Sequence, residues 1–243
     1  MRLPNDFNEK IDNAIQFFWD TRKSQISQQN ASGFHDQGNR GAVTGGKQLD
    51  GFVDLIQDVL LLNDVPKDCI FTRSNVELPG YYRPSKKWDL LVIDKCKNEL
   101  IIAIEFKSQV GPSFGNNFNN RTEEAMGSAL DIWTAYREGV FGVQKAPWLG
   151  YFLILEDCSK SNEPVRVNSL HFPVLKEFVD ASYKERYEIF CSKLLLERQY
   201  SGACFITTKV QGDRILYDFP REELSCMAFV RSMIGAVMSH FTN

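Results

Sequence analysis

WDLLVIDKCKNELIIAIEFK, residues 88–107, contains two nearly continuous apolar runs, 88–94 and 100–107, separated by the polar linker Lys95-Cys96-Lys97-Asn98. Runs of Val, Ile and Leu of this length read as buried strands, and so short a polar linker joins them as an antiparallel hairpin. Glu105 and Lys107 are two apart on the second strand, so their side chains leave the same face of the sheet. Asp89 opens the first strand. With the turn near Lys97, antiparallel pairing sets Asp89 beside the end of the second strand. The hairpin is therefore expected to gather two carboxylates and one ammonium at one edge of a sheet.

Adjacent carboxylates raise each other's pKa unless a positive group lies between them. Oxygen-only ligation with open positions is what Mg²⁺ accepts, which makes Asp89 and Glu105 candidate metal ligands. A Mg²⁺ ion held there would polarise a phosphodiester and lower the pKa of a bound water. Lys107 would orient the nucleophile or help it lose its proton, so Asp89, Glu105 and Lys107 form a catalytic set for phosphodiester hydrolysis. The pattern acidic-x-Lys occurs once, at Glu105-Phe106-Lys107, whereas composition alone supplies roughly two by chance. Its weight comes from location, because charges that end a buried apolar strand are costly unless exposed at the sheet's end or functional. A surface ion pair of Lys107 with Glu105 or Asp89 is the competing reading.

Working outward, residues 6 to about 22 place Phe7, Ile11, Ala14, Ile15 and Phe18 at helical spacing. Residues 24–47 turn to Gln, Asn, Ser, Gly and charge and read as a long loop. Residues 48–63 return to a helical period, with Asp50, Asp54 and Asp58 aligned away from the apolar face. That acidic stripe reads as a solvated face, with Asp54 kept as a candidate outer partner of the metal carboxylates. A strand is expected at 70–78, ahead of the hairpin. The Gly/Asn-rich GPSFGNNFNN leads to a helix from about Arg121 to Arg137, with Asn120 and Glu123 spaced as a capping box and Met126, Ala129, Leu130 and Trp133 on the buried side. A strand at 149–155 and a helix from Ser182 to about Tyr200 follow, the helix ended by Gly202. A strand at 203–208 and a helix opened by Pro220 and running to about His240 complete the order. This order suits an α/β fold, a mixed central β-sheet flanked by helices, in one domain over residues 1–243.

Composition is that of an ordinary globular chain, 43% hydrophobic and 24% charged. The net charge of -3 gives no global basic field, so any phosphate-binding surface must be built locally. No apolar run approaches a membrane span and the N-terminus carries no export pattern, so a cytoplasmic protein is expected. The six cysteines are dispersed, without a CxxC pair or histidines at ligand spacing, and read as reduced and mostly buried rather than as zinc ligands.

Asp89 followed by Glu105-Phe106-Lys107 after an apolar strand resembles the catalytic motif of the PD-(D/E)xK nuclease superfamily, except that Trp88 stands where proline is found in its name pattern. More narrowly, the chain resembles the XhoI-type family of type II restriction endonucleases. GGKQLDGF (45–52), YYRPSKKWDLLV (81–92) and EFKSQVGPSFGNNFNNRTEEA (105–125) carry the likeness, the last most specifically. The resemblance implies a restriction-endonuclease-like core and an Mg²⁺-dependent enzyme that cuts both strands of duplex DNA at CTCGAG and leaves four-base 5′ overhangs. It further implies a homodimer, since a palindrome is matched by two-fold symmetry, and a cognate DNA methyltransferase in the same host. A structure-specific or repair nuclease on the same core, and a DNA-binding module without catalysis, remain the alternatives.

Sequence readout needs Arg, Lys, Asn and Gln at base edges. The 24–47 segment offers Gln28, Gln29, Asn30, Arg40 and Lys47, and the segment after the catalytic strand offers Asn116, Asn117, Asn119, Asn120 and Arg121. Asn and Gly in loops also serve turns and caps. Arg83, Lys86 and Lys87 precede Asp89 closely enough to contact the DNA backbone near the cut. Thr207, Thr208 and Lys209 form a weaker third group, and His35, His171 and His240 are too isolated for a catalytic role.

Overall fold

The structure, a computed structural model, describes residues 1–32 and 47–241. Helix α1 (Phe7–Ser32) buries Phe7, Ile11, Ala14, Ile15 and Phe18 as one face. It continues well past Arg22, so Gln28, Gln29 and Asn30 lie in its last turns rather than in a loop. The polar composition at 24–30 does not prevent a helix, because Gln has ordinary helix propensity. Residues 33–46 of the expected loop, with His35 and Arg40, lie outside the described residues. A tight turn at Lys47–Leu49 leads into helix α2 (Asp50–Leu62), whose Phe52, Val53, Ile56, Val59 and Leu60 are buried.

One six-stranded sheet organises the rest. It comprises β1 (Ile70–Thr72), β4 (Leu90–Asp94), β5 (Glu99–Gln109), β6 (Trp148–Glu156), β7 (Gly202–Gln211) and β8 (Arg214–Asp218), in that spatial order. β5, β6 and β7 run parallel, and β1, β4 and β8 are antiparallel to their neighbours. A separate hairpin joins β2 (Glu77–Pro79) to β3 (Ser85–Lys87). The expected strand at 70–78 is therefore two pieces, broken where Arg73 and Asn75 adopt φ of 64° and 55°. β3 and β8 have no counterpart in the sequence reading, the first being Ser-Lys-Lys and the second an edge strand with alternate exposure.

Parallel neighbours require crossovers. Helix α3 (Phe114–Arg137) carries the chain from β5 to β6, and α4 (Tyr183–Leu196) from β6 to β7. α3 begins seven residues earlier than the position near Arg121 expected from sequence, so GPSFGNNFNN supplies its first turns and Asn120 and Glu123 are mid-helix, not a capping box. Phe114 stacks on Tyr183 at 5.8 Å and Phe118 meets Tyr187 at 5.0 Å. Those aromatic anchors, four residues apart, override the poor helix propensity of Gly and Asn. The buried side of α3 includes Ala125, Ser128, Ala129 and Ala135, small enough for close approach to the sheet, together with Ile132, while Met126 and Leu130 are half exposed. The capping box of Ser182 and Glu185 at α4 forms as expected. α4 stops at Leu196, where Arg198 takes φ 54°, and Gly202 opens β7 instead of ending the helix. The last helix, α5 (Cys226–Phe241), is capped by the Ser225 hydroxyl accepting from the Ala228 N–H at 3.2 Å, and Pro220 lies in the preceding turn.

Period-two alternation divides the core between the two faces. Ile102, Ile104, Phe106, Phe152 and Ile206 face α1, α2 and α5; Ala103, Tyr151, Leu153, Leu155 and Phe205 face α3 and α4. Gly150 and Gly202 are register partners beneath the Trp148 ring, and a Cβ on Gly150 would stand 2.6 Å from it, with Gly202 closer still. His240 Nε2 meets Asp94 Oδ2 at 2.8 Å, clasping the end of α5 to the turn of the β4–β5 hairpin. All six cysteines are free thiols, four of them buried. Among the described residues no helix is long and apolar enough to cross a membrane.

Candidate active site

The β4–β5 register places Leu90 opposite Ile104, and the Asp89 N–H donates to the Ile104 carbonyl at 3.1 Å. Asp89 therefore lies across from Glu105, and its Oδ2 accepts from the Phe106 N–H at 2.8 Å. Glu105 and Lys107 continue the face of β5 that begins with buried Ala103, so an apolar surface turns polar at the end of the strand. Glu105 is almost wholly buried. Its Oε1 receives Lys107 Nζ at 2.8 Å and Lys86 Nζ at 2.9 Å, while Oε2 is buried without a partner.

The electrostatics follow from these contacts. Asp89 is exposed at the end of the hairpin, and desolvation by the protein around its carboxyl still pushes it up, reinforced by Glu105 and only partly offset by the Phe106 N–H and the charges of Lys107 and Lys86. Burial acts upward on Glu105 too, but the Lys107 and Lys86 ammonium groups outweigh it and hold the carboxyl below its usual range. Burial pulls Lys107 down, yet Glu105 against it prevails and the displacement is upward. The two carboxylates thus diverge, one displaced upward and one downward. Behind Glu105, Tyr151 is its register partner on β6, and the Tyr200 hydroxyl donates to the Ala125 carbonyl at 3.0 Å. Helix α3 closes the other side, where Glu124 lies 3.6 Å from Lys107 and 2.7 Å from Arg121.

The β2–β3 hairpin brings Lys86 to Glu105, and α3 holds that hairpin through Asp131. The buried Asp131 carboxylate accepts from the Tyr81 N–H at 2.9 Å, the Tyr82 N–H at 2.7 Å and Arg83 Nε at 2.8 Å. Nothing in the sequence marked Asp131, since one acidic residue inside an amphipathic helix resembles any solvated charge. Asp131→Ala is expected to cost about 1–3 kcal/mol, because it strands two amide donors and a guanidinium; urea denaturation reads the loss, and a change below the error of that measurement would remove the latch. Burial acts upward on Asp131, but the Tyr82 N–H, Arg83 and the Tyr81 N–H prevail and hold it below its usual 3.8. A carboxylate lowered on folding contributes stability above its unfolded value and loses it as pH falls through the folded one, so the latch weakens only below about pH 4.

The remaining sequence candidates separate by location. Lys87 on β3 and Asn116 and Asn119 on α3 are exposed, Asn117 is half-buried, and Lys47 is exposed ahead of α2. Asn116 also lines a cleft with Lys160 and Arg166 that the sequence reading did not identify. Arg83 and Arg121 are engaged with Asp131 and Glu124. Asp54 pairs with Arg73 at 3.7 Å, and its helix packs on the face of the sheet opposite Glu105 and Lys107. Thr207 and Thr208 are buried and bonded to β8 carbonyls, and Lys209 pairs with Asp157 at 3.4 Å.

A mixed sheet whose hairpin carries Asp89, Glu105 and Lys107 at one end is the core of a PD-(D/E)xK nuclease. Known sequences narrow this further. Residues 28–216 match the family model described as restriction endonuclease XhoI. The chain is 49% identical over 206 residues to the type II restriction enzyme BstVI of Geobacillus stearothermophilus, covering 83% of this chain and 92% of that one. It is 50% identical over 182 residues to the type II restriction enzyme XhoI of Xanthomonas vasicola, covering 74% and 72%, and 46% identical over 168 residues to AbrI of Azospirillum brasilense, covering 69% and 74%. No solved structure matches the chain. The protein belongs to the XhoI family of type II restriction endonucleases and is a nuclease of duplex DNA.

Proposed function

We propose that this nuclease cuts both strands at a palindromic hexanucleotide, CTCGAG, leaving four-base 5′ overhangs, with Mg²⁺ held by Asp89 and Glu105. The observation that carries the reading is the convergence of Asp89, Glu105 and Lys107 at the end of the hairpin. The donor set suits the ion: two carboxylates offer oxygen only, and buried Glu105 Oε2 has no partner among the described residues. Those residues hold no cage of three or more acidic, His or Cys ligands, so water and phosphate would complete the shell. When bound, Mg²⁺ supplies Lewis-acid polarisation of the phosphodiester and a more acidic water. The chain supplies the rest. Asp89 is oriented by the Phe106 N–H, and Lys107, kept as an ammonium by Glu105, places positive charge and donor hydrogens at the attacked phosphate.

DNA would approach along the β2–β3 hairpin and the first turns of α3. Asn116, Asn119 and Asn120 form one exposed row there, and Asn pairs bidentately with adenine edges. Lys87 and Lys47 add exposed positive charge for the phosphate backbone; Arg83, Arg121 and the partly exposed Asn117 are closer to the protein's own framework, and Arg40 lies outside the described residues. A homodimer matches the two-fold symmetry of a palindrome. Half-exposed Met126, Leu130 and Tyr81 and the more exposed Tyr82 are apolar surface that a second copy could cover. A host carrying such an enzyme needs a cognate methyltransferase to protect its own CTCGAG sites.

Digestion of unmethylated plasmid with Mg²⁺, followed by run-off sequencing of the ends, tests the reading. Discrete fragments ending in four-base 5′ overhangs at CTCGAG are expected. A smear, or cutting confined to junctions or damaged sites, would replace it with a structure-specific nuclease.

A further inference from the structure

We propose that Lys86 is the resident counter-ion of Glu105 in the metal-free protein, a positioning residue that yields the carboxylate to a divalent cation and passes to the DNA backbone. The inference rests on the reading of Asp89 and Glu105 as metal ligands. Four charges meet at the hairpin end: Asp89 and Glu105 against Lys86 and Lys107, a set that is formally neutral. An ionised carboxylate as buried as Glu105 cannot stand unpaired. Both ammonium groups crowd onto Oε1, at 2.8 and 2.9 Å, while Oε2 is buried without a hydrogen-bond partner.

The two lysines are not equivalent. Lys107 is fixed to β5 beside its own partner and has a second carboxylate in Glu124 at 3.6 Å. Lys86 reaches across from the separate β2–β3 hairpin, its ammonium 4.9 Å from the centre of the Trp88 ring, and Glu105 is its one carboxylate partner among the described residues. Asp131 and the Trp88 N–H, which donates to the Val76 carbonyl at 2.9 Å, hold the hairpin backbone, so the flexible lysine stem is what can move. A divalent ion held by Glu105 would add two positive charges beside both ammonium groups. The one without a second carboxylate gives way. Displaced from Glu105, Lys86 needs an anion, and the phosphate backbone of the duplex supplies it. Cation and DNA are thereby coupled through one side chain, each freeing what the other binds.

Titration calorimetry of Mn²⁺ into the DNA-free protein tests this. Lys86→Met keeps the apolar stem over Trp88 and removes the competitor, so it is expected to bind Mn²⁺ about three- to tenfold more tightly than the natural chain. Lys86→Gln is expected to do the same, and circular dichroism establishes that both variants fold. A merely structural Lys86 would have the opposite effect, because loosening the site weakens Mn²⁺ binding. Equal or weaker affinity in both folded variants would therefore overturn the role. Glu105→Gln separates the two readings: it is expected to abolish Mn²⁺ binding in either background, and Mn²⁺ binding that survives it would remove the metal site itself along with the Lys86 role.

Discussion

Lys107→Ala protein is expected to bind its duplex as the natural chain does and to cut it about 10³-fold more slowly. The Lys107 head lies at the end of β5, mostly shielded, 2.8 Å from Glu105 Oε1, where it can reach a phosphate brought to the two carboxylates. Truncation removes a positive charge and its donor hydrogens from a site partly closed to water, where such groups act most strongly. The fold should survive, because Lys107 lies at the end of β5 and Glu105 retains Lys86 at 2.9 Å. Single-turnover cleavage beside a gel-shift titration reads both effects, with Asp89→Ala expected to behave alike. Cleavage at the natural rate in either variant would refute the site, and loss of DNA binding along with cleavage would point to a misfolded hairpin instead.

The second large effect is on stability. Phe152 is fully buried on β6, its ring 5.1 Å from those of Phe52 and Phe106 and 5.5 Å from that of Phe229. It joins α2, β5 and α5 across one face of the sheet. Phe152→Ala is expected to cost about 3–5 kcal/mol, from lost transfer energy, three aromatic pairs and the cavity left behind. In a chain of this size that lowers Tm by roughly 10 °C. Urea denaturation with Phe152→Leu as the smaller step checks it; a loss under about 1 kcal/mol for the alanine variant would mean the face repacks around the gap. Phe106 lies between Glu105 and Lys107 in sequence, so the same variant is expected to blur the geometry of the site.

The hairpin was legible because it is local. Period-two alternation and a four-residue linker set Asp89 against Glu105 without help from distant residues, and the structure brings the three side chains together as that register requires. What depended on tertiary contact was not legible. The start of α3 is decided by Phe114 and Phe118 packing on Tyr183 and Tyr187 some sixty-five to seventy residues away, and local composition pointed to a loop. Lys86 read as a phosphate contact because its link to Glu105 depends on how a second hairpin lies over the first. Asp131 gave no signal at all, since its partners are backbone amides from a different element. The break at 73–76 depends on two residues at positive φ, Arg73 and Asn75, which composition does not announce.

Trp148, Gly150 and Gly202 carry a consequence for how this lineage can diverge. The indole fills the space that a side chain at either glycine would need, and its Nε1 is tied to Ser232 at 2.9 Å. No single substitution at Gly150 or Gly202 can be accepted while the tryptophan stays. For Gly202 a smaller residue at 148 would have to come first, leaving an intermediate with a void beside Phe229, and for Gly150 the Phe229 ring, 2.8 Å from the same Cβ, would have to give way as well. Trp148, Gly150, Gly202 and Phe229 are therefore expected to be inherited as one character, unchanged together or replaced together, however freely the surrounding strands drift among Val, Ile and Leu.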